Sequence, residues 1–546
     1  MEFILIPAVI AIVILIIVVT NFRTKKAIDF YIRHSYGDKK RVKDDVNDRM
    51  EAVSQFYEKE KKNYSSSELI DDVTWDDLGM NSIFLRANHT DSFAGEQCLY
   101  SSLHIISDKT QNSVMNNETA DFFNKNEVKR NNVRKLLHNV GKPINGYYSI
   151  NIAEDLSTKH LPFKSVYPVL LISLVTFGTL GLIMRSPVLL MLFFVNYLLN
   201  LVVHIFLRAS FEARLESLFS MGLTINAGFS ISKIVPELSN NASDSLKKLK
   251  KAASIMNLLN MKNSMLKSDD MLATLASYII GPFMTDMILY TMGLNELSDK
   301  INDYLKVYRF VGNIDCSIAI ASFRESLSTY CVPEFNDDKR IEFTGVFHPM
   351  ITDPIANDIK QKKNVILTGS NASGKSTFIK SVAINLILAQ TIFTCTAESA
   401  CVPHCGVITS MAVRDDLASG ESYYIREIKY LKRMTESVKQ GRLLFLAVDE
   451  ILKGTNTKER IAASKAVLRY FNEKNCILMV ATHDVDLAEA FDGLYENFYF
   501  CEKLDEEDVI FDYIIHKGIC RSSNAIKLLS VIGFPDEIVN SALSEL

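Results

Sequence analysis

A chain of 546 residues has room for two to four domains, and 48% hydrophobic with 23% charged residues describes folded material, not a disordered polymer. The formal net charge of -4 excludes a global attraction to nucleic acid, so any such binding has to come from a local patch. Nine cysteines, an odd number with no CxxC pair, fit a reducing compartment better than a disulfide framework.

In chain order, Phe3 to Thr20 is close to the shortest apolar run that spans a bilayer. Nothing positive precedes it, Arg23, Lys25 and Lys26 follow it, and no small-residue cleavage pattern is present. These features predict a retained anchor over 1–22, with the chain entering the cytoplasm at residue 21. Residues 23–64, dense in both signs of charge, read as a cytoplasmic tether. From "SSSELIDDVTW", which holds the one tryptophan, Trp75, apolar residues recur at helical spacing over 65–164 and again over 208–338, two halves of one helical domain. Between them lie two apolar runs, Val166 to Met184 and Val188 to Leu207, parted only by "RSP" and flanked by Lys164 and Arg208. They predict a transmembrane hairpin over 165–207 that returns the chain to the cytoplasm; the alternative is a buried hairpin in a soluble core. The whole would then be a multi-pass protein of the cell membrane with three spans. Asn196, Asn200 and His204 share one helical face, and Ser173, Thr176, Gly178 and Thr179 lie on the preceding run, which reads as polar glue between helices. A path for a transported substrate is the sharper alternative.

After "VPEFNDDKR" the texture changes. Short aliphatic runs, "NVILT", "RLLFLAVDE" and "CILMVAT", alternate with helical patterns, which predicts an α/β domain with a largely parallel sheet over 339–546. Gly369 to Ser376 fits GxxxxGK[ST], follows the strand "NVIL" and precedes "TFIKSVAINLILAQ", the context a P-loop requires. Gly369 and Gly374 let backbone amides wrap the phosphates of ATP, within a binding segment that also holds Ser370, Asn371, Ala372, Ser373 and Thr377. Lys375 reaches the β and γ phosphates, and Ser376 ligates Mg2+. "LLFLAVDE" ends in Asp449, suited to hold the magnesium through its shell, and Glu450, suited to polarise the attacking water. "LMVATHDVDLAE" places His483 at the end of a third strand, where it senses the γ phosphate. Cys395, Cys401 and Cys405 with His404 match no standard zinc spacing.

These segments together resemble the MutS-type ATPases of the ABC superfamily. The likeness rests on "HP" at 348–349, "IANDI" at 355–359, "TGSNASGKST" at 368–377, "VP" at 402–403, "DDLASGES" at 415–422, "DEILKGTNT" at 449–457, "ATH" at 481–483 and the tail "HKGICRSSNAIKLLSVIGFPDEIVNSAL". More weakly, "NHTDSFAGEQCLYSSL" and "VGNIDCSIAIASFRESLSTYCVPEF" are similar to pieces of the MutS core domain. The resemblance implies an α/β P-loop domain behind an all-α core-like domain, and a homodimer in which each ATP lies between one P-loop and the partner's signature segment, Ser419 to Ser422, with Ser422 approaching the γ phosphate. It implies DNA as the clamped partner, in mismatch repair or in DNA handling at the membrane; the missing mismatch-reading domain and the apolar spans support the alternative, an ABC-like ATPase driving or scaffolding a membrane protein or lipid partner without DNA. "FYE" at 56–58 imitates a mismatch wedge but lies in a charged helical segment. Leu452 and Lys453 depart from the family segment at positions that leave hydrolysis intact. The best basic patch for duplex DNA is Lys247, Lys248, Lys250 and Lys251, followed by "VKRNNVRKLLHNVGK"; such runs are also solvated faces or contacts to anionic lipid.

Overall fold

The computed structural model describes residues 19, 22–39, 49–106, 111–154, 163–266, 278–370, 373–411, 423–452, 456–504, 509–519 and 533–545. The apolar run Phe3 to Thr20 therefore lies outside the described residues apart from Val19. The chain forms two compact units: Met1–Glu60, Asn88–Ser101 and Glu118–Ser322 make the first, and Lys61–Ala87, Ser102–Asn117 and Phe323–Leu546 the second.

The first unit is helical. Buried aromatic rings fill its centre, with Phe93 beside Tyr147 and Tyr308, and Phe56 packed on Tyr308 at 5.5 Å. Phe56 is thus a core residue, not an exposed wedge. The two core-like segments singled out by resemblance meet here, where buried Asp315 accepts hydrogen bonds from the Asp91 and Ser92 amides (3.0 and 2.8 Å) and from the Ser92 hydroxyl. Burial and then the nearby Asp91 carboxylate push the Asp315 carboxyl up. Glu96, also buried, is pushed up by burial, but Lys142, Arg49 and hydrogen bonds from Tyr147 and Asn88 outweigh that and hold it below the usual range.

Two helices of this unit, Val166–Ile183 and Pro187–Ile234, are long and apolar enough to cross a membrane; they are the two expected spans that fall within the described residues. Only 17% and 11% of their apolar windows are buried, which disfavours the alternative of a covered core hairpin. Close approach depends on glycine: a Cβ at Gly178 would lie 3.1 Å from the Phe193 ring, and one at Gly181 3.0 Å from Leu190. The second helix does not stop at Leu207 but runs 48 residues to Ile234, about 72 Å at 1.5 Å per residue. Its continuation changes character: Leu218, Met221, Ile225 and Ile231 are buried in the unit. Asn196 donates to Ser173 Oγ (2.7 Å), the predicted helix–helix bond. Asn200 likewise donates to the Leu170 carbonyl of the preceding helix (3.3 Å), and it and His204 also make contacts the sequence did not suggest. Asn200 donates to the Pro282 carbonyl (3.0 Å), and His204 Nε2 lies 2.8 Å from Asp286 Oδ2, both side chains buried.

The second unit is α/β. Its strands are β1 (Glu334–Asn336), β2 (Ile341–Val346), β3 (Asn357–Gln361), β4 (Val365–Thr368), β5 (Ser399–Pro403), β6 (Gly406–Ser410), β7 (Leu444–Asp449), β8 (Cys476–Thr482), β9 (Glu496–Tyr499), β10 (Glu502–Leu504), β11 (Val509–Phe511) and β12 (His516–Lys517). One sheet has the order β12-β9-β4-β8-β7-β6, parallel except for β12; a second has the order β1-β5-β2-β3; β10 and β11 pair as an antiparallel ribbon. Every residue of β8, "CILMVAT", is buried, as expected for a parallel strand covered on both faces. Leu446, Val448, Leu478 and Val480 pack with Met434, Leu468 and Phe471 from the helices Tyr423–Ser437 and Thr457–Asn472. Residues 65–87, which periodicity groups with the helical domain, belong to this unit for a polar reason: Asp77 accepts hydrogen bonds from Thr409 Oγ1 (2.7 Å) and the Met411 amide (2.9 Å) beside β6, and Arg433 binds Asp71 (2.7 Å). Trp75 stacks on His104 at 3.4 Å within the same unit.

Candidate active site

The sheet's register brings the three expected strand ends together. Thr368 of β4 pairs with Thr482 of β8, and Asp449 of β7 pairs with Ala481, so the loops after β4, β7 and β8 leave the sheet at one carboxyl edge. In open α/β sheets this edge is where ligands bind. A cleft of about 570 Å³ lies there, lined in part by Ser373, Gly374, Lys375, Ser376, Thr377, Asp449 and Glu450. The loop could carry no side chain at its glycines: a Cβ on Gly369 (φ +146°) would sit 2.5 Å from the Phe500 carbonyl, and one on Gly374 (φ +106°) 3.1 Å from the Tyr513 ring. Lys375 opens the helix Lys375–Ile392 and folds its ammonium back onto the carbonyls of Gly369 (2.7 Å) and Ser370 (2.6 Å). Ser373 Oγ is buried without a hydrogen-bond partner among the described residues, so a polar group is aimed into the cradle without a protein acceptor or donor. A phosphate chain suits this set: glycine-lined backbone, an ammonium, three hydroxyls and the start of an 18-residue helix.

Glu450 is buried and has φ +66°, a left-handed backbone that costs a non-glycine residue about 1–2 kcal/mol. Its amide donates to the Ala481 carbonyl (2.9 Å), and its carboxylate lies 3.1 Å from His483 Nδ1. His483 does not itself line the cleft; it stands behind Glu450, with 45% of its side chain exposed. Asn371, Ala372 and Ser422 lie outside the described residues, as do the rest of the signature segment and Lys453.

Sequence reasoning missed the opposite wall. Asn357 donates to the Tyr513 carbonyl (3.0 Å) and accepts from the Ile515 amide (2.8 Å), fixing Tyr513 at φ +53° against Gly374. His348 lines the same cleft; burial and then Lys380 push its imidazole down to about 4, so it is neutral near pH 7. Its Nδ1 accepts from the Met350 amide (3.2 Å), which leaves Nε2 as the N–H donor. The motifs "HP" and "IANDI" pointed to these positions without a role, and no spacing rule links Asn357 to Tyr513. Of the cysteine cluster, Cys395 pairs by its backbone with Cys331, and His404 stacks on Phe335 at 4.1 Å. The lysine-rich run is largely matched by carboxylates, with Lys247 on Asp244 (3.1 Å), Lys248 near Asp303 (3.5 Å) and Lys251 on Glu296 (2.7 Å). In the second basic run, Arg134 is buried on Asp91 (2.7 Å).

A parallel sheet with a glycine loop after one strand, an Asp-Glu pair after a second and a histidine after a third defines a P-loop type of α/β domain. Residues 365–546 match the family model of MutS domain V. Over 262 residues the chain is 30% identical to the DNA mismatch repair protein MutS of Pseudothermotoga lettingae, which covers 45% of this chain and 31% of that protein. The MutS of Acetivibrio thermocellus is 30% identical over 267 residues (45% and 30%), and that of Fusobacterium nucleatum 30% over 265 (46% and 29%). The match thus spans less than a third of the length of these relatives.

Proposed function

We propose that this chain is a MutS-type ATPase held at a membrane by its apolar hairpin. The observation that carries the reading is the convergence of the P-loop residues, Asp449 and Glu450 on one cleft at the carboxyl edge of the parallel sheet. In this reading the loop amides and Lys375 bind the phosphates of ATP, and the exposed Tyr513 ring beside Gly374 offers a stacking surface for the base. Ser376 and Asp449 would hold Mg2+, whose charge offsets that of the phosphate oxygens. Glu450 accepts the proton of the attacking water, and His483 fixes the direction of that carboxylate. Ser422 would act on the ATP of a partner subunit, which makes the working form a homodimer.

The mismatch repair relatives suggest duplex DNA as the clamped partner. The pairing of Lys247, Lys248 and Lys251 with carboxylates and the burial of Arg134 favour the second reading, an engine acting on a membrane protein or lipid without DNA. Steady-state ATP turnover of the full-length protein in detergent, with no DNA, matched duplex and mismatched duplex at low and moderate salt, tests both. Turnover that requires Lys375 and responds to duplex in a salt-dependent way supports the DNA clamp. Turnover indifferent to DNA supports the membrane engine, and no ATP turnover under any condition defeats the proposal.

A further inference from the structure

Cys501, Asp512 and His516 are far apart in neither sequence nor space, yet no motif joins them. Cys501 follows β9 and precedes β10, Asp512 follows β11, and His516 opens β12, which returns to pair with β9 through His516 and Tyr499. Their ligand atoms all lie within 4.8 Å of one another, the only such trio of metal-ligating side chains among the described residues. His516 Nε2 is buried without a hydrogen-bond partner and stands 3.8 Å from Asp512 Oδ2. An imidazole nitrogen in that position, beside a carboxylate oxygen and a thiol, has the composition of a zinc site.

We propose that Cys501, Asp512 and His516 bind a divalent transition metal, Zn2+ in the first instance, as a clip across the neck of the β10–β11 ribbon. Thiolate, imidazole and carboxylate select Zn2+ over Mg2+ or Ca2+, which take oxygen ligands. Tetrahedral Zn2+ with bonds of about 2.0–2.3 Å sets its ligand atoms about 3.3–3.7 Å apart, so side-chain rotation has to close the trio by roughly 1 Å. On binding, the Cys501 Sγ–H bond breaks, its proton goes to solvent, and the Sγ–Zn bond forms; the fourth position is left to water.

The clip would reach the nucleotide cleft through its neighbours. Phe500, next to Cys501, presents the carbonyl that abuts Gly369, and Tyr513, next to Asp512, presents the ring that abuts Gly374. The metal site stands on its three side chains alone; only its effect on ATP binding rests on the function proposed above. Ligand identity and cleft geometry therefore need separate readouts.

The experiment is titration of the full-length, metal-stripped protein with Co2+ and then Zn2+ in excess Mg2+, read by absorbance. One equivalent of Co2+ is expected to give a thiolate charge-transfer band and intense visible bands of a tetrahedral ion, both displaced by Zn2+. Cys501→Ser should abolish the charge-transfer band, and His516→Gln should weaken Zn2+ at least tenfold, while Cys401→Ser leaves both unchanged. In the unmutated protein, Zn2+ should slow alkylation of Cys501 at least tenfold, read by mass spectrometry, without slowing that of Cys401. Absence of the thiolate band, an unchanged band in Cys501→Ser, or unprotected Cys501 at saturating Zn2+ each overturns the site. If Zn2+ binds and protects but ATP affinity is the same with and without it, the metal site holds and its coupling to the cleft is overturned.

Discussion

The pairs His204–Asp286 in the first unit and His483–Glu450 in the second each set a histidine against a carboxylate, and they are built in opposite ways. His204 and Asp286 are both buried and 2.8 Å apart, with His204 on the long helix that leaves the apolar hairpin. His483 and Glu450 are 3.1 Å apart, but His483 is 45% exposed and Glu450 sits on a left-handed backbone in a cleft. The first pair is reinforced by what surrounds it: a Cβ on Gly281 would lie 2.7 Å from His204 Nδ1, and the Met287 amide donates to Asp286 at 3.1 Å. The second is aimed at open volume and carries strain. A histidine–carboxylate contact alone therefore says nothing about function; burial, backbone conformation and what lies beyond the carboxylate decide it.

The largest expected effect breaks the first pair. Asp286→Ala leaves the buried His204 Nε2 without this partner, and an unsatisfied buried polar group costs up to about 3 kcal/mol. Denaturant unfolding in detergent should show that loss, and His204→Leu combined with Asp286→Leu should recover much of it by replacing polar groups with apolar ones. If the single variant unfolds at the same denaturant concentration as the unmutated protein, the pair is not what holds segment 278–286 to the helix.

The second pair should break differently. Glu450→Gln keeps the volume and the hydrogen bonding but removes the base, so turnover should fall at least about a hundredfold, or about 2.7 kcal/mol in the barrier, with ATP binding retained. Single-turnover hydrolysis and nucleotide binding on the same sample check this. Unchanged hydrolysis removes Glu450 from the role assigned to it.

His348 serves as the control, a half-buried histidine whose charged neighbour is Lys380. Its folded value of about 4 lies below the ordinary 6.5, so the unfolded chain takes up a proton that the folded chain refuses. Stability is unaffected above about pH 6.5, falls as pH drops through the window to 4, and does not fall further on this account below it. The loss at pH 4.5 is on the order of 2 kcal/mol. In His348→Asn, whose side-chain oxygen keeps an acceptor for the Met350 amide, the difference in unfolding free energy between pH 7 and 4.5 should shrink by that amount.

What the sequence made legible follows the range of its signals. The strand ends at Thr368, Asp449 and His483 could be read because each motif carries its own strand and turn, and a parallel register then aligns them. The hairpin could be read from apolar length, and the Asn196–Ser173 bond from helical spacing. Asp286 could not be assigned to His204, 82 residues earlier, because neither periodicity nor composition encodes which buried acid meets which buried base. The same holds for Asn357 and Tyr513, and for the side of the division on which residues 65–87 fall, which hydrogen bonds to Asp77, and not apolar spacing, decide.

The smallest effect is also the one that separates the two pairs most sharply. Asparagine tolerates the left-handed region better than other non-glycine residues, so Glu450→Asn should relieve part of the strain at φ +66° and remove a carboxylate from a buried place. The amide bond to the Ala481 carbonyl does not depend on the side chain and should remain. Unfolding should therefore require about 0.5–1 kcal/mol more while turnover falls as in Glu450→Gln. No substitution at Asp286 has this signature, because there the backbone is not left-handed and the carboxylate is buried against His204 and the Met287 amide. A variant at 450 that lost both stability and turnover would place Glu450 with Asp286, as a structural acid whose position in the cleft is incidental.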